Sequence, residues 1–448
     1  MKTVKNTKDA RSFTEVIQST FQEFFQKSSA AGITIIVFSA IAILWVNSPL
    51  SDLYHDLLHQ PIDVHLATLT LDFTFEHFVN DGLMVIFFLV VGLEIKREIL
   101  VGELSSARKA ALPMIAAVAG MIGPGAIYLM FNYGTDAARG WGVPVATDIA
   151  FALGILALLG KRVPLGLKIF LAALAIVDDL LAVLVIAIFY TSTLNMAMLG
   201  AAVIILAILF AGNRAGIQSI RFYGFVGFFL WVAVLFSGVH ATIAGVLLAL
   251  TIPSRSRINV DAFTKRIDRL QTKLAQTDRP QHAETDRLDV VHAIEDACES
   301  VQSPLHRIEH GIQPWVSFFI MPVFALVNAG IHLNMTMVGH LTSPIALGVA
   351  LGLFAGKQIG VFTAVWASVR FKIAELPENV TFKQIYGVAI LCGIGFTMAL
   401  FVANLAFTTP EQLDMSKLSI ILGSAISAIA GSIWLRMTLP KPSTAPSR

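Results

Sequence analysis

The chain has 448 residues, of which 56% are apolar and only 14% charged, with a formal net charge of +2 and a mean hydropathy of +0.73. Soluble domains carry about 25% charged residues, so the composition argues against an ordinary soluble fold, and the near-neutral balance gives no electrostatic case for a nucleic-acid partner. Cys298 and Cys392 are too far apart in sequence and setting to indicate a disulfide framework or a thiolate metal site.

Met1 to Lys27 is polar and charged. No small-residue cleavage site follows the first apolar run, which is therefore read as a retained helix after a cytoplasmic segment over 1–29. Apolar runs approaching the ~20 residues that cross a bilayer core predict about twelve spans. Their cores lie at 30–48, 80–101, 110–131, 145–160, 164–190, 194–211, 221–236, 239–252, 313–331, 343–368, 385–407 and 417–435. Lys and Arg accumulate on the cytoplasmic side of membranes, which tests the count. With both termini cytoplasmic, all but three of the 32 Lys and Arg fall in or beside cytoplasmic segments. The exceptions are Arg139 and Lys417, expected in outer loops, and Lys357, deep in the tenth span. The expected class is an all-α polytopic membrane protein. Helices one to eight occupy 30–252, a cytoplasmic insert 253–312, helices nine to twelve 313–436, and a cytoplasmic tail 437–448.

Two segments lie outside the membrane. His65 to Phe75 alternates apolar and polar residues with period two and is rich in Thr and Phe, which predicts a small outer β-hairpin within 62–76. An isolated hairpin is marginal in water and strand edges seek pairing, so a homodimer contact is expected there. In the insert, Phe263, Ile267, Leu270 and Leu274 share one helical face, as do Leu288, Val291, Ile294 and Cys298, with Pro280 and Pro304 as breaks. A pair of amphipathic helices capping the inner face is expected, with a regulatory domain as the sharper alternative.

Ionisable residues within spans cost roughly 2.5 to 3.5 kcal/mol each on insertion scales, so each needs a reason. Asp178 and Asp179 sit midway along an otherwise apolar fifth span. Adjacent helical residues project ~100° apart, so a cavity must span that arc. Two neighbouring carboxylates repel and burial disfavours charge, while oxygen donors suit a hard cation such as sodium. The pair is thus poised for competition between a proton and a cation. The plainer alternative is a carboxylate that pairs with Lys357 to hold helices together.

Pro144, Thr147 and Asp148 interrupt the fourth span, and Gly393-Ile394-Gly395-Phe396-Thr397 interrupts the eleventh. Broken helices are tolerated at membrane depth beside a protein-lined or watery cavity. Two of them in corresponding places predict a midplane site formed by inverted repeats, spans three to five and ten to twelve. Half-helix ends carry partial charges, which Asp148 could offset at the positive ends and Lys357 at the negative ends. Close helix packing is the plainer reading of Gly393 and Gly395. The run Glu94-Ile95-Lys96-Arg97-Glu98 closes the second span as an anchor or, with Glu309 and His310 at the insert's edge, as a proton-sensitive cluster. His240 reads as a satisfied interfacial histidine.

Several stretches resemble the NhaA-type sodium/proton antiporters of bacterial inner membranes. They are NDGLMVIFFLVVGLEIKREI (80–99), VPVATDIAFALG (143–154), LKIFLAALAIVDDL (167–180), SGVHATIAGV (237–246), FAGKQIG around Lys357, and LCGIGFTMALF (391–401). The resemblance covers most of 30–435. It implies electrogenic, pH-regulated exchange of sodium or lithium for protons by alternating access, with no cofactor and no enzymatic step. It also implies that Asp179 is the principal cation ligand and that Asp178 joins it or pairs with Lys357. The same resemblance implies that Asp148 and Thr147 belong to crossed, unwound helices, that Glu94, Glu309 and His310 correspond to a cytoplasmic pH-sensing region, and that the strand segment corresponds to a dimer contact. Two departures stand out: the connection between spans eight and nine is longer than expected, and Gln313 occupies a place where a histidine is expected.

The rival readings are an intramembrane aspartyl protease and a sodium-coupled organic solute symporter. The protease hallmark Gly-x-Gly-Asp is lacking, since Phe396 follows Gly393-Ile394-Gly395. Midplane polar groups that are carboxylates and little else suit a bare cation better than an organic solute.

Overall fold

The computed structural model describes residues 13–440 except 67–68, 192, 257, 277–282 and 334–338. Its helices are α1 Phe13–Val46, α2 Ser51–His59, α3 Phe75–Val101, α4 Ala107–Asn132, α5 Ile149–Leu158, α6 Leu165–Phe189, α7 Met196–Arg214, α8 Ile220–Leu235, α9 Ile243–Thr251, α10 Val260–Gln276, α11 Ala283–Val301, α12 Pro304–Asn328, α13 Pro344–Arg370, α14 Phe382–Leu391, α15 Phe396–Ala406 and α16 Pro410–Thr438. A 3₁₀ segment, Asp136–Val145, leads into α5. Among the described residues, eight helical segments are long and apolar enough to cross a membrane: α3, α4, Asp136–Leu158, α6, α7, α12, α13 and α16. The other four expected spans are helical too: Ala30–Val46 within α1, the short α8 and α9, and the broken pair α14 and α15. Large apolar side chains such as Leu44, Phe225 and Ile429 are exposed on these helices, as lipid contact requires.

The chain packs as two units, one made of residues up to Ser48, Ala111–Asp178 and Asn328 onwards, the other of Pro49–Ala110 and Asp179–Val327. Along the chain the order long helix, interrupted helix, long helix occurs twice, as α4, Asp136–Leu158 and α6, and as α13, α14–α15 and α16. Backbones of α4 and α13 approach through glycine. A Cβ on Gly123 would lie 2.5 Å from Gly356 O, and one on Gly360 2.2 Å from Ala119 O. Such small-residue seams replace the hydrophobic driving force that lipid removes. A π-helical turn, Gly352–Gly356, runs directly into Lys357, an irregularity common at functional positions. Thr381 starts α14 with a reciprocal cap through Gln384.

The second unit is organised around α3 and α9. Gly245 fits because a Cβ there would meet Val85 O at 2.3 Å, and Gly92 because it would meet the Cβ of Ala249 at 2.7 Å. The Lys96 ammonium donates to the carbonyls of Leu250, at 2.7 Å, and Ile252, stopping α9 from across the seam. The expected hairpin is present as β1 Pro61–Leu66 and β2 Leu69–Thr74, antiparallel with Ile62 opposite Phe73. Phe73 stacks on Trp231, ring centroids 6.5 Å apart.

Three helices extend beyond the bounds read from sequence. Helix α1 is already present at Phe13, the first described residue, ahead of the span core at 30–48, because no Pro or Gly interrupts residues 13–29. The ninth span starts at Pro304, where Ser303 accepts from His306 N and Pro304 takes the first helical position. Residues 304–312, read as the end of the insert, are therefore helical and continuous with the ninth span. Lys417 lies inside α16 and is buried, not in an outer loop, because Pro410 starts that helix two turns earlier.

Candidate functional site

In the first unit the two interrupted helices meet at their breaks. Ala146 and Asp148 have extended backbone between the 3₁₀ segment and α5. Asp148 N donates to Ile394 O at 2.6 Å, and the Thr147 hydroxyl donates to Cys392 O at 2.9 Å. A carbonyl at the end of α14 is thereby satisfied by the other broken helix. The Asp148 carboxylate works in the opposite sense. One oxygen accepts from Phe151 N at 3.2 Å, in the first turn of α5. The other accepts from Thr397 N at 3.2 Å and from the Thr397 hydroxyl, in the first turn of α15. One buried carboxylate thus caps two half-helix N-termini, where a negative charge is favoured. Ser424, from α16, adds an acceptor for Phe396 N at 3.1 Å.

Gly393 and Gly395 serve close approach as well as interruption. A Cβ on Gly393 would lie 2.5 Å from Leu353 O and from the Ser427 hydroxyl, and one on Gly395 2.9 Å from Ala146 O. Leu353 belongs to the π-helical turn that leads to Lys357.

Lys357 and Asp178 form an ion pair, Nζ to Oδ2 2.7 Å, with side chains 0% and 1% exposed. Gly120 of α4 lies beside the lysine: a Cβ there would meet Val361 Cγ2 at 2.9 Å and the Lys357 side chain at an ordinary 4.0 Å. The hydrogen bond of Lys357 therefore goes to Asp178 and not to the half-helix carbonyl ends, whose partners are Thr147 and Asp148 N. The second oxygen, Asp178 Oδ1, is buried with no hydrogen-bond partner among the described residues. A buried carboxylate oxygen left in this state calls for an explanation, and a cation or a proton supplies one. Asp179, the next residue along α6, is 2% exposed and belongs to the second unit.

The second unit contains the other expected cluster. Arg97 reaches Glu309 at 3.2 Å and Glu98 at 3.5 Å. Gln313 Nε2 donates to Glu94 Oε1 at 3.4 Å, so the residue that stands in place of an expected histidine does contact Glu94. Glu309 is buried, and its Oε2 has no hydrogen-bond partner among the described residues. His310 stacks on His306 at 5.9 Å. His240 is satisfied, as read from sequence: Nδ1 lies 2.9 Å from the Thr242 hydroxyl and Nε2 3.5 Å from Asp81.

Sequence reasoning assigned no site role to Thr397, Ser424 or Gly120. Thr397 had a visible signal, a hydroxyl directly after the Gly-Ile-Gly interruption. Ser424 and Gly120 had none, since small residues are common in packed membrane helices.

Residues 22–435 match the family described as Na+/H+ antiporter 1. The chain belongs to that family. A relative from Koribacter versatilis, a "Na(+)/H(+) antiporter NhaA", is 46% identical over 427 residues, 95% of this chain and 93% of the relative. Relatives of the same name from Oleidesulfovibrio alaskensis and Escherichia coli are 47% and 44% identical, over 94% and 93% of this chain and 94% and 97% of their own lengths. The chain is thus a multi-pass membrane transporter of the NhaA type, and the resemblance read from its motifs extends over nearly its whole length.

Proposed function

We propose that the chain exports sodium, and lithium, in electrogenic exchange for protons across a bacterial inner membrane, with both termini and the insert in the cytoplasm. The supporting observation is the fully buried Lys357–Asp178 pair, with one carboxylate oxygen left over, beside two broken helices joined through Asp148. Such a group can hold a proton or a cation but has little use in a merely structural core. Sodium is the substrate. Its ligands are Asp179, Asp178 through the free oxygen, and the polar groups of the break, Asp148 and Thr147. Each is an oxygen donor, the type hard cations prefer. Lys357 supplies a counter-charge that sodium displaces from Asp178, and alternating access carries the loaded carboxylates from one side to the other.

The cluster of Glu94, Arg97, Glu309 and His310 acts as a pH-responsive region, and the hairpin β1–β2 is a homodimer contact through its unpaired strand edge. The family resemblance and the buried Glu309 support the first, and the two-stranded sheet supports the second. The test is dequenching of a pH-sensitive dye in everted vesicles. Sodium and lithium should each drive proton movement and potassium little. A potassium response equal to that of sodium, or none to any cation, would defeat the reading.

A further inference from the structure

The long insert, which the transport site does not use, forms one wall of a cavity of about 700 Å³ in the second unit. The opposite wall is the connection from α7 to α8. Gly216, with φ +76°, turns that connection sharply, and Ile217 N closes it by donating to Gly212 O at 3.0 Å. The two ends of the insert are tied to each other, Ile258 N donating to Ser300 O at 3.2 Å and Leu305 N to Pro253 O at 3.1 Å, and Gln218 Nε2 links the α7–α8 connection to the insert by donating to Arg255 O at 3.4 Å.

Three arginines line it: Arg221 in the first turn of α8, Arg307 in the first turn of α12, and Arg266 on α10. Their placement is unfavourable by itself. Helix N-termini carry partial positive charge and favour anions, yet both helices put a cation there. Glu299 offsets Arg307 at 2.6 Å. Among the described residues, no carboxylate lies within ion-pair distance of Arg221 or Arg266, although Asp296 shares the lining. The start of α8 and two exposed arginines, Arg221 and Arg266, thus line one polar cavity with a deficit of negative charge, while the N–H groups opening α12 already have partners in Pro253 and Ser303.

We propose that this cavity binds a phosphate-bearing anion, either free in solution or carried on a lipid headgroup. Planar guanidinium forks match phosphate oxygens in paired hydrogen bonds, and the backbone N–H groups that open α8 add donors. Asp296 gives the site an acceptor for an amine or hydroxyl on the same ligand, so a phosphate ester is preferred to a bare halide.

The test uses the full chain, purified in detergent and in nanodiscs. Equilibrium binding is measured with inorganic phosphate and ATP as soluble probes. Labelled phosphatidylglycerol, in nanodiscs of otherwise neutral lipid, is the lipid probe. Saturable binding of at least one probe is expected, and the responding arm identifies the source. Replacing Arg221 and Arg266 together by Gln should weaken it about tenfold or more, given the strength of charge-assisted bonds. Ser300→Trp, which fills the cavity and keeps every charge, should also abolish it while melting stays near wild type. The proposal is overturned if no probe binds saturably, or if the binding is unaffected by both changes.

Discussion

Lys357 Nζ lies 2.7 Å from Asp178 Oδ2, and neither side chain touches solvent. Removing one partner of a buried ion pair leaves an uncompensated charge, which costs about 3–5 kcal/mol. Lys357→Ala should therefore lower the melting temperature in detergent and flatten the pH dependence of exchange. Combining Lys357→Met with Asp178→Leu should restore much of the melting temperature, because an apolar pair of similar volume avoids desolvation. Exchange should stay impaired. A double variant that regains full exchange would reduce the pair to a structural tie.

Asp148 caps two half-helices with one carboxylate. Each lost cap costs about 0.5–2 kcal/mol. Asp148→Ala is expected to lower stability by roughly the sum of two caps, and Thr397→Val by less than one. Asp148→Asn keeps an acceptor but no charge, so it should melt closer to wild type and still show weakened apparent sodium affinity. Thermal unfolding and sodium titration of vesicles separate the two effects.

The seam between α4 and α13 sets the position of Lys357. A side chain at Gly360 would press on Ala119 O, a backbone atom that cannot step aside. Gly360→Val should cost about 1–3 kcal/mol or more through overpacking. Gly200, with open space around it, should accept Ala at no cost. Size-exclusion profiles and melting of the two variants check this contrast.

Glu309 pairs with Arg97, and His310 stacks on His306, in the unit that does not contain Lys357. If the aspartates themselves set most of the pH response, the double change Glu309→Gln, His310→Gln should leave most of it intact. Exchange measured across pH in vesicles of that variant gives the answer. A flat profile would locate control in the second unit.

Much of this arrangement is legible in the sequence. Length and hydropathy placed the helices, because each must carry about 20 apolar residues. The two interruptions showed as polar and glycine residues where an apolar run was due, and Asp178-Asp179 as charges no span should carry. The partner of Lys357 was not legible. Adjacent aspartates differ by ~100° in azimuth, and only packing decides which of them faces α13. The double cap by Asp148 was half legible: its position before α5 marks a cap, but the reach to Thr397 depends on how two breaks cross. Hydropathy rises only at 313, although α12 starts at Pro304. Ser303-Pro304 is itself a helix-start signal.

The central claim is that the same carboxylates take a proton or a sodium ion in turn. Protons and sodium then compete, so lowering the pH should weaken apparent sodium affinity while leaving the maximal rate reachable. The decisive measurement is a sodium titration of dye dequenching in everted vesicles at several pH values. The account predicts that the half-saturating sodium concentration rises steeply as pH falls, that saturating sodium restores exchange at mildly acidic pH, and that Asp179→Asn shows no exchange at any concentration. A half-saturating concentration that stays fixed while the maximal rate collapses, or normal exchange by Asp179→Asn, would contradict it.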